Sequence, residues 1–327
     1  MLHSRAVQSW SLISDIGGSS TRLARVLDGE IGDVETFSTQ NARSIPELVS
    51  DYVSRFPVLP NRAVIAVAAP ISKGAVQMTN AQSNFDVADI EPLTCDQSAR
   101  FINDFEAAAW ALSTVESDDV DHLSGPTRIP YGNRVILGPG TGLGVGILVQ
   151  TPYGPMAVPG EGGHIGISPQ TDFEVEVFKA FRTVWPDVFF GQRLCVEAEA
   201  FLSGRGLPHL HQAVSQTLGM TTPDLTPQDL LANPKVTCPA IVKTREIFRT
   251  HLGQICADLA LTTMSRGGVF IAGGVAVKNP WLFDETFIGA FRDGGRFSAL
   301  RSGFPLYLMK STDFGLVGAR NALMSAG

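Results

Sequence analysis

Apolar positions along this chain switch between a period of two and a spacing of three to four, and the switches divide it into alternating strands and helices. Trp10, Leu12 and Ile13 lead into the polar run "SDIGGSSTR", and Leu23, Ala24 and Val26 alternate with arginines after it. That pattern predicts a strand–turn–strand hairpin with Gly17 and Gly18 at its tip. "SIPELVSDYVSRF" sets Leu48, Val49, Tyr52, Val53 and Phe56 at helical spacing behind a capping Ser44, with Pro46 in the first turn, and predicts an amphipathic helix. "RAVIAVAAPI" predicts a short buried strand ended by Pro70, and "GAVQMTNAQSNFD" a hairpin arm followed by a polar loop that carries Asn80. "ARFINDFEAAAWALS" enters as an apolar strand and leaves as an alanine-rich helix, with Asn103 and Asp104 at the join.

A stretch rich in Asp, Gly and Pro, Glu116 to Gly132, reads as a loop and puts a domain boundary near Leu112. Beyond it, Val135 to Leu137 and Leu143 to Val149 flank a second glycine turn, "GPGTGLGVG", and repeat the plan of the first hairpin, which suggests two related domains. "TDFEVEVFKAFRTVWP" and "CVEAEAFLSGRGLPHLHQAVSQTL" predict helices, the second broken at Gly204 to Pro208. "KTREIFRTHLGQICADLALTTM" predicts a long helix running into "GGVFIAGGVA", a buried strand with glycines at both ends. "PLYLMK" reads as a strand and "FGLVGARNALMS" as a closing helix that returns to the first domain. The expected organisation is a small α/β domain from residues 1–112 plus 306–327, and a large α/β domain from 113–305.

Composition narrows the function classes. At 327 residues the chain is long enough for two cores, and 17% charged against 44% hydrophobic residues excludes a disordered chain. The net charge of −7, with no Lys/Arg run, speaks against nucleic acid as a partner, so an anionic ligand must be held by local donors or a metal. No apolar stretch is long enough to span a membrane and the first residues lack a secretory pattern, which makes the cytoplasm the expected compartment. Cys95, Cys195, Cys238 and Cys256 lack C-x-x-C spacing and read as reduced thiols, mostly packed.

Each candidate motif has a plain alternative. Gly17 and Gly18 serve a tight turn by supplying positive φ, or they let backbone N–H groups approach a phosphate, with Ser19, Ser20 and Thr21 as further donors and Asp15 positioning a hydrated Mg²⁺. Five glycines between Gly138 and Gly146 exceed what a hairpin requires, and Thr141 adds a hydroxyl, so the second turn reads as half of a two-domain phosphate clamp; no Walker-type sequence is present. Asp104 caps a helix, or it accepts the proton of an alcohol that attacks a phosphoryl group, with Asn103 orienting that alcohol. Glu161 and His164 bracket two glycines in "VPGEGGHIGIS", where both can face one polyhydroxy ligand or His164 can be structural. Glu199, by itself, reads as a solvated helix residue, and "FIAGGVA" as a core strand with a tight turn or a glycine floor under an adenine ring.

Taken in order, "DIGGSSTR", "INDFEAAAWAL", "GPGTGLGVG", "PGEGGH", "EAFLSG" and "GGVFIAGGV" resemble the bacterial glucokinase family of the hexokinase/actin-like ATPase superfamily over nearly the whole chain. The resemblance implies a two-domain actin-like (ribonuclease H-like) α/β fold, with a cleft between the domains that closes on the sugar. It implies ATP-dependent phosphorylation of the 6-hydroxyl of glucose, the first step of glycolysis, with glucose and ATP as partners, Mg²⁺ as cofactor and a homodimer as assembly. Carried over residue by residue, Asp104 is the catalytic base, and Asn103, Glu161, His164, Glu199 and Asn80 of the "MTN" motif are ligands of the sugar. Gly17, Gly18, Ser19 and Ser20, with Gly140, Thr141 and Gly142, hold the phosphates; Asp15 lies near Mg²⁺; Gly273 and Gly274 lie against the adenosine. Ser19-Ser20 stand where the family usually has Thr-Asn, which keeps a hydroxyl donor and drops an amide. The cysteine-rich zinc motif of the related repressor and sugar-kinase family is missing after His164, which indicates the zinc-free branch. A kinase for mannose, fructose or an amino sugar is a second reading, since polar ligands alone do not name the hexose. A sugar-responsive regulator without turnover is a third, disfavoured because too few residues precede the first strand for a helix-turn-helix. A chaperone-like ATPase is a fourth, with no evident peptide groove.

Overall fold

The computed structural model describes residues 9–69, 71–72, 74–76, 84–221 and 223–325. The chain divides into two compact units, one from residues 1–115, 150–159 and 313–327, the other from 116–149 and 160–312.

The first unit opens with the predicted hairpin, β1 (Ser11–Ile16) and β2 (Ser20–Leu27), and extends it with β3 (Glu30–Ser38). After α1 (Ile45–Val53) come β4 (Ala63–Val67), the short strands β5 (Ile71–Ser72), β6 (Ala75–Val76) and β7 (Phe85–Asp86), and α2 (Val87–Ile90). β8 (Ala99–Asn103) then passes directly into α3 (Asp104–Ala111). The main sheet runs β3-β2-β1-β4-β8, with β1, β2 and β3 antiparallel in turn and β4 and β8 parallel to β1. β4 sits inside the sheet with every residue of "AVIAV" buried, as a continuous apolar run requires. α1 starts where Ser44 accepts the Glu47 N–H and covers the sheet with Ile45, Val49, Tyr52 and Val53, in one core with Leu12, Leu23, Ile65 and Val67. Burial of each such side chain stabilises the unit by about 1.5–3 kcal/mol.

The second unit begins with β9 (Val120–Ser124), then β10 (Arg134–Pro139) and β11 (Leu143–Thr151), after which β12 (Gly154–Val158) falls within the first unit. It continues through β13 (Gly166–Ile167), α4 (Asp172–Val184), β14 (Val196–Glu197), α5 (Ala198–Phe201), α6 (Gly206–Thr217), α7 (Pro227–Leu231) and α8 (Pro239–Thr263). β15 (Gly268–Ile271), α9 (Gly273–Lys278), α10 (Glu285–Arg292), α11 (Ser298–Ser302) and β16 (Leu306–Met309) complete it, and α12 (Gly315–Ser325) belongs to the first unit. Its sheet contains β11-β10-β15-β16-β9, again an antiparallel hairpin followed by parallel strands. The core lies between that sheet and α4, α6 and α8, and includes Phe178, Phe181, Phe201 and Phe248.

Four details differ from the sequence expectation. The presumed loop of 116–132 holds β9, an edge strand antiparallel to β16 in which only Val120 and Ser124 are buried, so its sequence gives no apolar alternation. β3 escapes for the same reason. The 306–327 segment is split: β16 pairs with β15 and β9 in the second unit, and only residues from 313 onward cluster with the first. The helix break falls at Leu202 to Arg205, because Pro208 fits in the first turn of α6, where its missing N–H has no intrahelical partner to lose.

All four cysteines are free; Cys95 is exposed, Cys195 and Cys238 half-buried, and only Cys256 fully buried, where desolvation pushes its thiol up. Among the described residues no helix is long and apolar enough to cross a membrane.

Candidate active site

In the first unit, β8 ends on Asn103, which caps α3 by accepting the Glu106 N–H at its side-chain oxygen. The cap is therefore Asn103, and Asp104 occupies the first helical position instead, exposed, with its own Oδ1 accepting the Phe105 N–H at 3.0 Å. A carboxylate there lies in the favourable field of the helix N-terminus. Behind it, the buried Glu106 pairs with Arg100 at 2.7 Å; burial pushes its carboxyl up and the Arg100 charge and hydrogen bond oppose that. α12 braces the same helix. Asn321 donates to Trp110 O at 3.0 Å and Thr114 Oγ1 at 2.9 Å, and a Cβ on Gly318 would collide with the Ala107 carbonyl.

The first glycine turn is part of the same unit. Neither Gly17 nor Gly18 takes a positive φ, so the turn does not need glycine for that reason. Gly17 N–H donates to Ser20 O at 2.9 Å, and Thr39 Oγ1 donates to Gly17 O at 2.8 Å and meets Thr21 Oγ1 at 2.9 Å. Ser19 and Ser20 are exposed. Asp15 lies opposite Arg22 in the hairpin register and accepts from its guanidinium at Oδ2, while Arg22 also pairs with Asp313. A Cβ on Gly315 would run into the Asp15 carboxylate, which places that carboxylate against the N-terminal end of α12. With Oδ2 engaged by a guanidinium, Asp15 suits a hydrated Mg²⁺ reached through water better than direct coordination.

In the second unit the turn of Gly138 to Gly142 is held on three sides. Gly140 N–H donates to Gly142 O at 2.8 Å, and Gly204 and Arg205 N–H groups donate to Gly140 O at 2.8 Å and Thr141 O at 3.4 Å. Glu199 accepts the Leu143 N–H at Oε2 (2.9 Å) and Arg205 at Oε1 (3.0 Å), and its carboxylate lies where a Cβ on Gly142 would be. Gly273 adopts φ +83°, and a Cβ on it would lie 2.5 Å from Pro139 O, so only glycine lets the start of α9 close on the turn. Gly274 N is 3.9 Å from where a Gly140 Cβ would stand. The turn and the Gly273-Gly274 pair, far apart in sequence, are thus neighbours.

Glu161 and His164 flank a single 3₁₀ turn whose glycines are required by proximity: a Cβ on Gly162 would lie 2.9 Å from Val145, and one on Gly163 would strike Leu143 O. Both side chains are exposed. His164 Nε2 is 3.6 Å from Glu161 Oε2, and Nδ1 is hydrogen-bonded to Glu197. Single polar atoms of His164, Glu197 and Glu199 lie within 4.8 Å of one another. The hydrogen bond that His164 donates to Glu197 is the main reason the imidazole is pushed up from its ordinary value; partial burial opposes it, and the charges of Glu197, Glu199 and Glu161 add to it.

The second unit therefore brings Glu161, His164 and Glu199 toward one another and joins Gly140, Thr141 and Gly142 to Gly273 and Gly274. The first unit holds Asn103 and Asp104 at one strand end and Asp15 with Gly17 to Ser20 in its hairpin. Asn80 lies outside the described residues. Sequence reasoning missed Glu197 and Arg22. The E-x-E spacing of Glu197 and Glu199 was the one available signal for the former; nothing in the hairpin sequence singles out Arg22 as the partner of Asp15.

The family model for glucokinase matches residues 12–326. A glucokinase of Mesorhizobium japonicum is 36% identical over 321 residues, covering 94% of this chain and 89% of its own, and one of Yersinia enterocolitica is 32% identical, covering 95% of each. The solved glucokinase of an Antarctic psychrotroph superposes with a TM-score of 0.84 at 29% identity, over 97% of this chain and 99% of its own. The glucokinase of Balamuthia mandrillaris, solved in complex with glucose, has a TM-score of 0.78 at 23% identity, over 99% and 96%, and attests the fold. The two-domain actin-like ATPase fold and the match along almost the entire sequence agree: the chain belongs to the glucokinase family.

Proposed function

We propose that this protein is an enzyme that transfers the γ-phosphoryl group of ATP to the 6-hydroxyl of glucose, giving glucose 6-phosphate and ADP. The family match over residues 12–326 carries this reading, and the position of Asp104 supports its chemistry. An exposed carboxylate at a helix start, beside an asparagine anchored as the cap, is accessible to an incoming alcohol and can accept its proton.

In the reaction, Asp104 takes the proton of the sugar's 6-hydroxyl as O6 bonds to the γ-phosphorus and the bond from phosphorus to the bridging oxygen of ADP breaks. Asn103, Glu161, His164 and Glu199 hold the other hydroxyls, and Asn80 is assigned to the sugar by the resemblance. Backbone N–H groups of the two glycine turns, with the hydroxyls of Ser19, Ser20 and Thr141, hold the phosphates. The start of α9 at Gly273 and Gly274 takes the adenosine. Mg²⁺, held through water by Asp15, would offset phosphate charge. Since positioning supplies most of the acceleration in phosphoryl transfer, the ties that fix Glu199 and the second turn belong to catalysis as much as to stability.

The reading extends to a cytoplasmic enzyme at the entry to glycolysis, because its donor is ATP, and to a homodimer by the resemblance. The discriminating experiment is a coupled assay of ADP formation with ATP and Mg²⁺ on glucose, mannose, fructose and N-acetylglucosamine. The expected result is strong preference for glucose and little ADP without sugar. Preference for another hexose would move the reading to that sugar's kinase, and binding without turnover would move it to a regulator.

A further inference from the structure

Glu197 lies outside the residues assigned to the sugar, yet it is the partner of one of them. β14 pairs with β13 through Gly166 opposite Glu197, and Ala198 N–H donates to Ile165 O at 2.8 Å. A Cβ on Gly166 would lie 2.5 Å from Cys195 Sγ, so the two short strands pack tightly in this register. A slip by one residue would turn Glu197 to the opposite face. The register thus delivers the Glu197 carboxylate to His164 Nδ1, while Nε2 faces Glu161 at 3.6 Å. The charged groups around the ring are Glu161 before it, Glu197 on β14, Glu199 on α5 and, through Glu199, Arg205.

We propose that Glu197 is the positioning residue that fixes the orientation and protonation of His164, holding its Nδ1–H so that Nε2–H is presented to the sugar as a donor. The inference rests on His164 being a sugar ligand. Its physical basis is that an imidazole offers two donors only when protonated; once neutral with Nδ1–H held, Nε2 becomes an acceptor. The ring's raised proton affinity, with the Glu197 bond as the largest cause, extends the donor state to higher pH than a free histidine with its value of 6.5 would allow. As pH rises through the raised value the donor is lost, so KM for glucose rises on the alkaline side.

Glu197→Gln retains an acceptor for Nδ1–H and removes the charge, which separates orientation from protonation. The pH at which KM for glucose rises should fall, because the largest cause of the raised proton affinity is weakened. At mildly alkaline pH the loss should lie in KM, about tenfold, more than in kcat. In a His164→Gln background the same change should have no further effect on KM, because Glu197 acts through the ring. Side-chain NMR of His164, assigned by its disappearance in His164→Gln, reads the coupling without any reaction, and its titration should move down in Glu197→Gln. An unmoved titration, or a moved one with an unchanged KM profile, would overturn the proposal. A titration that moves in a protein that turns over no hexose would contradict the proposed function and leave the Glu197–His164 coupling standing.

Discussion

Both oxygens of Glu199 are occupied, Oε2 by the Leu143 N–H and Oε1 by Arg205, and its carboxylate lies near His164 and Glu197, so the residue links the proposed sugar-ligand cluster to the second glycine turn. Among the described residues, the hydrogen bond and ion pairs of His164 are with Glu197 and Glu161. The two should therefore fail differently. Glu199→Ala is expected to raise KM for glucose at least tenfold, the scale of a lost charge-assisted hydrogen bond, and KM for ATP severalfold as the turn loosens. His164→Gln should raise KM for glucose alone. Steady-state kinetics with each substrate varied tests this, and an unchanged KM for ATP in Glu199→Ala would contradict the link. At this scale the sequence singles out side chains that sit inside a motif, as with Asp104, Glu161 and His164, whose roles remain proposals. It was silent where the role comes from pairing across strands: Arg22 meets Asp15 through the β1–β2 register, and Glu197 meets His164 through β13–β14.

Among the elements, α3 matters most because it presents Asp104, and α12 fixes it. A Cβ on Gly318 would meet the backbone of Ala107 rather than a movable side chain, so the helices must separate to admit one. Gly318→Ala should cost about 1–3 kcal/mol, the range for overpacking, which lowers Tm by about 2–10 °C in a domain of this size. A thermal melt checks it; an unchanged Tm would show that the helix contact yields freely. Elements with a strong period were legible in advance: α1, the strand-to-helix join of β8 and α3, and the long α8 all lie where apolar spacing put them. β3 and β9 were not, because edge strands bury few residues and their alternation fades into the surrounding polar sequence.

Across the whole molecule, two α/β units each build a sheet from an antiparallel hairpin followed by parallel strands, with a glycine-rich turn at the hairpin tip. That repetition was readable from the two turns. The closing helix α12 returns to the first unit as its sequence suggested, whereas the placement of β12 and β16 was not readable, because it depends on which sheet or helix each one packs against rather than on local sequence. In the proposed mechanism one carboxylate, at the start of α3, accepts the proton during transfer. Its most direct test is glucose-dependent ADP formation by the wild-type protein and by Asp104→Asn, with glucose binding measured alongside. In Asp104→Asn, kcat should fall by about 10²-fold or more while glucose still binds. Turnover close to wild type in Asp104→Asn would contradict it.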